Sequence, residues 1–83
     1  MENTRERLSI KEATGIAIGW TRRQTGLPSD SFITPRKYSL DRRGRRLYVM
    51  SGTFLVVEII IHDDKSVEVI RDRRNHPRVL ASI

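Results

Sequence analysis

Residues 53–61 read Thr-Phe-Leu-Val-Val-Glu-Ile-Ile-Ile, an apolar and largely β-branched run broken only by Glu58. Branching at Cβ suits a pleated surface better than a helix, so the run predicts a β-strand. A half-buried strand alternates polar with apolar residues. This one does not, and it predicts a central strand covered on both faces. Any fold for the chain must give this segment neighbours on both edges, and its one carboxylate needs partners, because an isolated buried charge is too costly to keep.

The flanking sequence offers such neighbours. Residues 45–50 precede the run across a tight Ser51-Gly52 turn, and residues 67–71 follow it across a turn at 63–66. Residues 38–40 read as a further strand, joined to 45–50 by Asp41-Arg42-Arg43-Gly44, with aspartate first and glycine last as a type I turn prefers. Upstream, Ser9-Ile10-Lys11-Glu12 has the form of a capping box, and Ala13, Ile16, Ala17 and Trp20 recur at helical spacing. Gly26-Leu27-Pro28 adds a left-handed glycine and a proline stop, so a helix is predicted over about 10–25. Gly15 and Gly19 are either tolerated surface or sheet-facing glycines or a point of close backbone approach. Residues 27–35, with two prolines, two serines and an aspartate, read as a loop. After the last strand, Val79, Leu80 and Ile83 form a short apolar tail. The expected fold class is α+β: a single small basic domain with one N-terminal helix packed on a four-stranded antiparallel β-meander.

Counting outward from Ser51-Gly52 puts Val49 opposite Phe54, Leu47 opposite Val56 and Arg45 opposite Glu58. The turn at 63–66 puts His62 opposite Val67, Ile60 opposite Val69 and Glu58 opposite Arg71. On this register the helix covers the face bearing Tyr48, Met50, Leu55, Val57, Ile59, Ile61 and Ile70, together with Tyr38 and Leu40. The other face carries Leu47, Val49, Phe54, Val56, Ile60, Val67 and Val69, crossed by a row Arg45-Glu58-Arg71 that ends at His62. That row is either an anion site with a group to move a proton or a cross-strand ion row that makes a central glutamate tolerable. An apolar face with a charged row also suits a second copy of the chain, so a homodimer is expected.

The chain has 83 residues, with 16 lysines and arginines against 10 acidic residues, a formal charge of +6. Lysine occurs only at Lys11, Lys37 and Lys65; the other cations are arginines, whose planar forks match phosphates. Arg36, Lys37, Arg71, Arg73, Arg74 and Arg78 gather at one end of the expected sheet. With Arg45 they are the candidate contacts to RNA, DNA or another polyanion, the alternative being a solvated charged rim. His76 stands among them and joins Glu58 and His62 as a candidate for proton transfer. The absence of cysteine excludes disulfides, thiolate metal sites and cysteine nucleophiles. Phosphate-loop, dinucleotide, zincin and nucleophile-elbow motifs are missing, so no metal and no cofactor is expected. No apolar run approaches the roughly 18 residues of a membrane span, and the first eight residues are charged, so a cytoplasmic protein without membrane contact is expected.

A helix ahead of an antiparallel sheet, with Arg45, Glu58, Arg71 and either His62 or His76 on the uncovered face, resembles the RelE-type toxin architecture. The resemblance covers about residues 37–76 and implies a small endoribonuclease. The function expected from charge and patterning is a noncatalytic nucleic-acid-binding or polyanion-binding module acting as a homodimer. The alternatives are that ribonuclease, or an interaction module whose function arises only in an assembly.

Overall fold

The computed structural model describes residues 7–35 and 42–81, which form α1 (Ile10–Arg23), β1 (Ser31–Pro35), β2 (Gly44–Ser51), β3 (Phe54–His62), β4 (Val67–Asp72) and α2 (Pro77–Leu80). The four strands make one antiparallel sheet in the order β1-β2-β3-β4. The chain is therefore α+β, with an N-terminal helix and an antiparallel meander whose interior holds the apolar run.

Helix α1 starts where the Ser9-x-x-Glu12 signature places it. The Ser9 hydroxyl accepts the Glu12 N–H at 3.1 Å and lies 3.4 Å from the Glu12 carboxylate, so one orphan donor is satisfied as in a capping box. Ala13 and Ala17 are fully buried, and these two small residues let the helix settle closely on the sheet, with Ile16 and Trp20 packing alongside. Gly15 is exposed with nothing near it, and the half-buried Gly19 meets only its own helix's Arg23, so neither marks a close approach of another backbone. The helix ends at Arg23, two residues before the expected stop. Gly26 has the expected positive φ of 79°, but it serves the turn that follows the extended C-cap Gln24.

The segment read as a loop ends in a strand. Ser31–Pro35 is β1 and pairs with β2 from Ser31 opposite Ser51 to Pro35 opposite Leu47. Its two flanking prolines suggested a loop, yet Pro28 lies before the strand and Pro35 closes it on a sheet edge, where a missing N–H is tolerated. Between them Phe32, Ile33 and Thr34 are good strand formers with alternating exposure. Residues 38–40, expected to form the first strand, and Asp41 of the expected turn lie outside the described residues.

The β2–β3 register also departs from the count. The two-residue turn is Gly52-Thr53, with Ser51 opposite Phe54 and Gly52 at φ 59°, one residue further along than expected. A bulge then inserts Val56, so that Met50 opposes Leu55 but Val49 opposes Val57, Tyr48 opposes Glu58 and Arg45 opposes Ile61. Moving a turn by one residue changes each partner by two and preserves faces. An inserted residue changes it by one and exchanges them. The expected Arg45–Glu58 rung is therefore absent, and the helix covers Leu47 and Val49 of β2 together with Val57, Ile59 and Ile61 of β3. Tyr48, Met50 and Leu55, expected beneath the helix, fall on the open face.

Between β3 and β4, Glu58 opposes Arg71 as expected. A second bulge then replaces the other expected rungs by Ile59 with Val69, Ile60 with Glu68 and Ile61 with Val67. The connecting turn closes through His62 N–H to the Ser66 carbonyl (2.9 Å) and Lys65 N–H to the His62 carbonyl (2.8 Å), with Lys65 at φ 76°.

The core under α1 is Leu47, Val49, Val56, Val57, Ile59 and Ile61, completed by Leu8 and by Val79 of α2. Each fully buried branched side chain contributes roughly 1.5–3 kcal/mol, so this cluster, more than any ion pair, holds the central strand in place. The segment leading into α1 is clamped at the far end of the sheet. Leu8 N–H donates to Asp63 Oδ1 (3.0 Å), while Arg45 Nε and Arg7 Nη2 donate to the Leu8 and Gly44 carbonyls (2.8 and 3.0 Å). No helix among the described residues is long and apolar enough to cross a membrane.

Candidate functional site

Among the described residues, two collections of charged side chains bear on function, one on each side of the sheet. On the face opposite α1, Glu58 is 5% exposed and its Oε2 accepts from Arg46 Nη1 at 2.6 Å, while Arg71 Nε stands 3.9 Å from Oε1. Arg46 sits one rung away from Glu58, opposite Ile60, and reaches it diagonally. The expected arginine-glutamate-arginine row thus exists with Arg46 in place of Arg45, and the bulge at Val56 is the cause. Beside it Glu68 takes His62 Nε2 on one oxygen (2.7 Å) and Arg43 Nη1 on the other (2.9 Å). Both carboxylates are occupied by cations of the chain itself. Ile60 lies fully buried among these residues' rungs, so the network also roofs the central strand.

The second collection lies at the other end of the sheet on the helix side, where the Gly52-Thr53 turn, the end of β4 and α2 converge. The Phe54 ring has the guanidinium carbons of Arg73 and Arg78 each 5.3 Å from its centroid, and the His76 ring lies 5.0 Å away, tilted by 50°. Local structure explains the gathering. Arg73 N–H bonds the Val56 carbonyl at 2.7 Å, which keeps the chain on β3 beyond the end of β4. His76 then caps α2 by accepting the Arg78 N–H on Nδ1 (3.1 Å), and Pro77 opens the helical turn with the φ it needs. Val79 of the same turn is buried in the core and anchors the corner. In the neutral ring this bond leaves the proton on Nε2. A depression of about 140 Å³ beside Phe54 is lined by Pro28, Ser51, Arg78 and Val79.

The residues expected to contact a polyanion divide accordingly. Arg73 and Arg78 meet at Phe54, whereas Arg71, with its side chain 56% exposed, points to the open face. Arg45 lies on the helix side and donates to Leu8. Arg74 is engaged within the protein, donating to Asp72 and, through Nη1, to Gln24 Oε1 (3.0 Å) and the Thr25 carbonyl (3.3 Å). Arg36 and Lys37 lie outside the described residues. Of the proton-transfer candidates, Glu58 and His62 sit in the open-face ion network and His76 at the Phe54 corner, so the three do not converge. Among the described residues no group of three or more His, Asp or Glu is placed to hold a metal ion. Sequence reasoning missed Arg46, which only the bulge brings to Glu58, and it missed Phe54 as the hub of the cations.

The Asp72–Arg74 clip joins β4 to the end of α1. Hydrogen bonds from Arg74 hold the Asp72 carboxyl below its ordinary value of 3.8, and the same contact raises Arg74. A carboxyl with a lowered folded-state pKa adds stability above its unfolded value and loses it as pH falls through the lowered one. Asp72→Asn should therefore lose less stability than the parent protein between pH 4 and pH 2 in urea titrations. The difference at neutral pH should be at most about 1 kcal/mol, because the Asp72 side chain is 36% exposed and the pair is screened by solvent.

Comparison with protein-family models, with curated proteins and with solved structures finds no match to this chain.

Proposed function

We propose that the chain is a noncatalytic polyanion-binding module, with nucleic acid as the principal partner and the Phe54 corner as the contact. The observation that carries this is the convergence of Arg73, Arg78 and His76 on one partly buried aromatic ring. Ordering two long cationic side chains on a ring lowers the entropy lost when they meet a phosphate, and the surplus of +6 draws polyanions from a distance. Arg73 makes no ion pair with a carboxylate among the described residues, whereas the open-face carboxylates are already matched to arginines. Among the described residues Glu58 and His62 are held in ion pairs on the open face and His76 stands apart from them at the Phe54 corner, an arrangement that favours binding over cleavage. A cytoplasmic setting belongs to this reading.

Fluorescence anisotropy with a labelled single strand tests it. Replacing both Arg73 and Arg78 by alanine should weaken binding at least tenfold at 0.1 M salt and lower the slope of log K against log salt by roughly 1.5–2 units. Glu58→Gln should leave affinity unchanged. Cleavage of an RNA strand, lost in His76→Ala, would move the assignment to the endoribonuclease class.

A second copy of the chain is the other partner we propose. Edge strand β4 exposes Val69 (43%) and Ile70 (38%), and α1 packs mainly over β1 to β3, so a second β4 would cover apolar surface and pair open backbone groups. Light scattering should show a dimer that Val69→Lys reverts to monomer; a monomer at every concentration of the unaltered chain removes this part.

A further inference from the structure

Building on the polyanion reading, we infer that the Phe54 corner recognises the phosphate chain alone and reads no bases. The ligand class is a linear run of phosphates, whether phosphodiester or phosphoanhydride. Proteins that hold single strands by their bases leave an aromatic face open, because stacking is the sequence-tolerant contact available there. The Phe54 ring is only partly exposed and already carries cations of the chain itself. Two guanidiniums stand over its ring, the His76 imidazole closes on it at 5.0 Å, and its inner side packs against the core cluster. Its π surface orients arginines and is not a platform.

The His76 ring is itself turned onto Phe54, and the described Trp, Tyr and Phe side chains other than Phe54 are placed elsewhere. Trp20 packs in the core, Tyr48 opposes Glu58, and Phe32 belongs to the far edge strand. Groups able to read a base edge are scarce at the corner. Ser51 Oγ donates to Asp30 Oδ1 at 2.8 Å and Gln24 Oε1 accepts from Arg74. Asn75, exposed in the turn before α2, carries a further amide. Arg73, Arg78 and the His76 imidazole, gathered at one ring, are groups that match phosphate oxygens, and such contacts carry no sequence information.

The experiment compares oligo(dT), oligo(dA), an abasic deoxyribose-phosphate strand of equal length and inorganic polyphosphate, by anisotropy and competition at 50 mM salt. The three strands should bind within about threefold of one another, polyphosphate should compete, and Phe54→Leu should weaken all of them by the same factor. Base stacking contributes roughly fivefold to more than a hundredfold per base, so its presence would be plain. Tighter binding of the base-bearing strands by tenfold or more, with Phe54→Leu acting on those alone or Asn75→Ala abolishing the preference, overturns the inference and leaves the polyanion reading standing. Failure of every strand and of polyphosphate to bind overturns both. Circular dichroism of each variant confirms that the comparison is between folded proteins.

Discussion

Gly44→Ala is expected to lower the unfolding free energy by about 3 kcal/mol or more and the melting temperature by roughly 10–20 °C, the largest effect of alanine at any of the five glycines. A Cβ built on Gly44 lies 2.0 Å from the Ile61 carbonyl oxygen and 2.8 Å from His62 Cα. Both obstacles are backbone of the central strand, so no side-chain rotation relieves the clash. The same residue opens β2, pairs with His62 and accepts a hydrogen bond from Arg7, so displacement also loosens the segment clamped ahead of α1. Gly15→Ala is the control. With nothing within 4 Å at an exposed helical position, it should stabilise the protein by about 0.5–1 kcal/mol. Urea denaturation of the two variants reads both signs, and a Gly44→Ala protein as stable as its parent would show that β2 and β3 do not approach as described.

Glu58→Ala is expected to cost about 2–3 kcal/mol, through the arginine it abandons. Losing one member of a fully buried pair costs roughly 3–5 kcal/mol. Here the Arg46 side chain retains 29% exposure and Arg71 56%, which moderates the penalty. Replacing both members, Arg46→Met with Glu58→Leu, should return stability to within about 1 kcal/mol of the parent or above it, because apolar isosteres need no desolvation compensation. The double-mutant cycle separates this account from simple loss of packing at Glu58, which the second substitution would not repair. Since the proposed contact lies at the Phe54 corner, neither change should alter affinity for a phosphate chain.

Much of the architecture was legible from residue order. The cap at Ser9, the helical stripe of Ala13, Ile16, Ala17 and Trp20, and the apolar run of β3 around Glu58 are local patterns, and each element formed where its pattern lay. Strand β1 was hidden because proline and serine mark loops by local propensity. Whether Pro35 can close a strand depends on its lying at a sheet edge, a property of the assembled sheet. Of the candidate site, the Glu58–Arg71 rung and the cationic character of the β4 end could be read in advance. The partner on the other side of Glu58 could not, nor could the cluster around Phe54.

Sequence by itself determined α1 and the strands β2 to β4, that β3 lies inside the sheet, and that its lone carboxylate sits among guanidinium groups, because side-chain branching, capping and charge act over a few residues. Only the tertiary structure decided that Arg46 and not Arg45 meets Glu58, that Leu47 and Val49 face the helix, and that Arg73 and Arg78 close on one ring. A bulge is chosen by how two strands and a helix pack together. One inserted residue leaves little trace in local sequence, yet it reverses which face every later side chain joins.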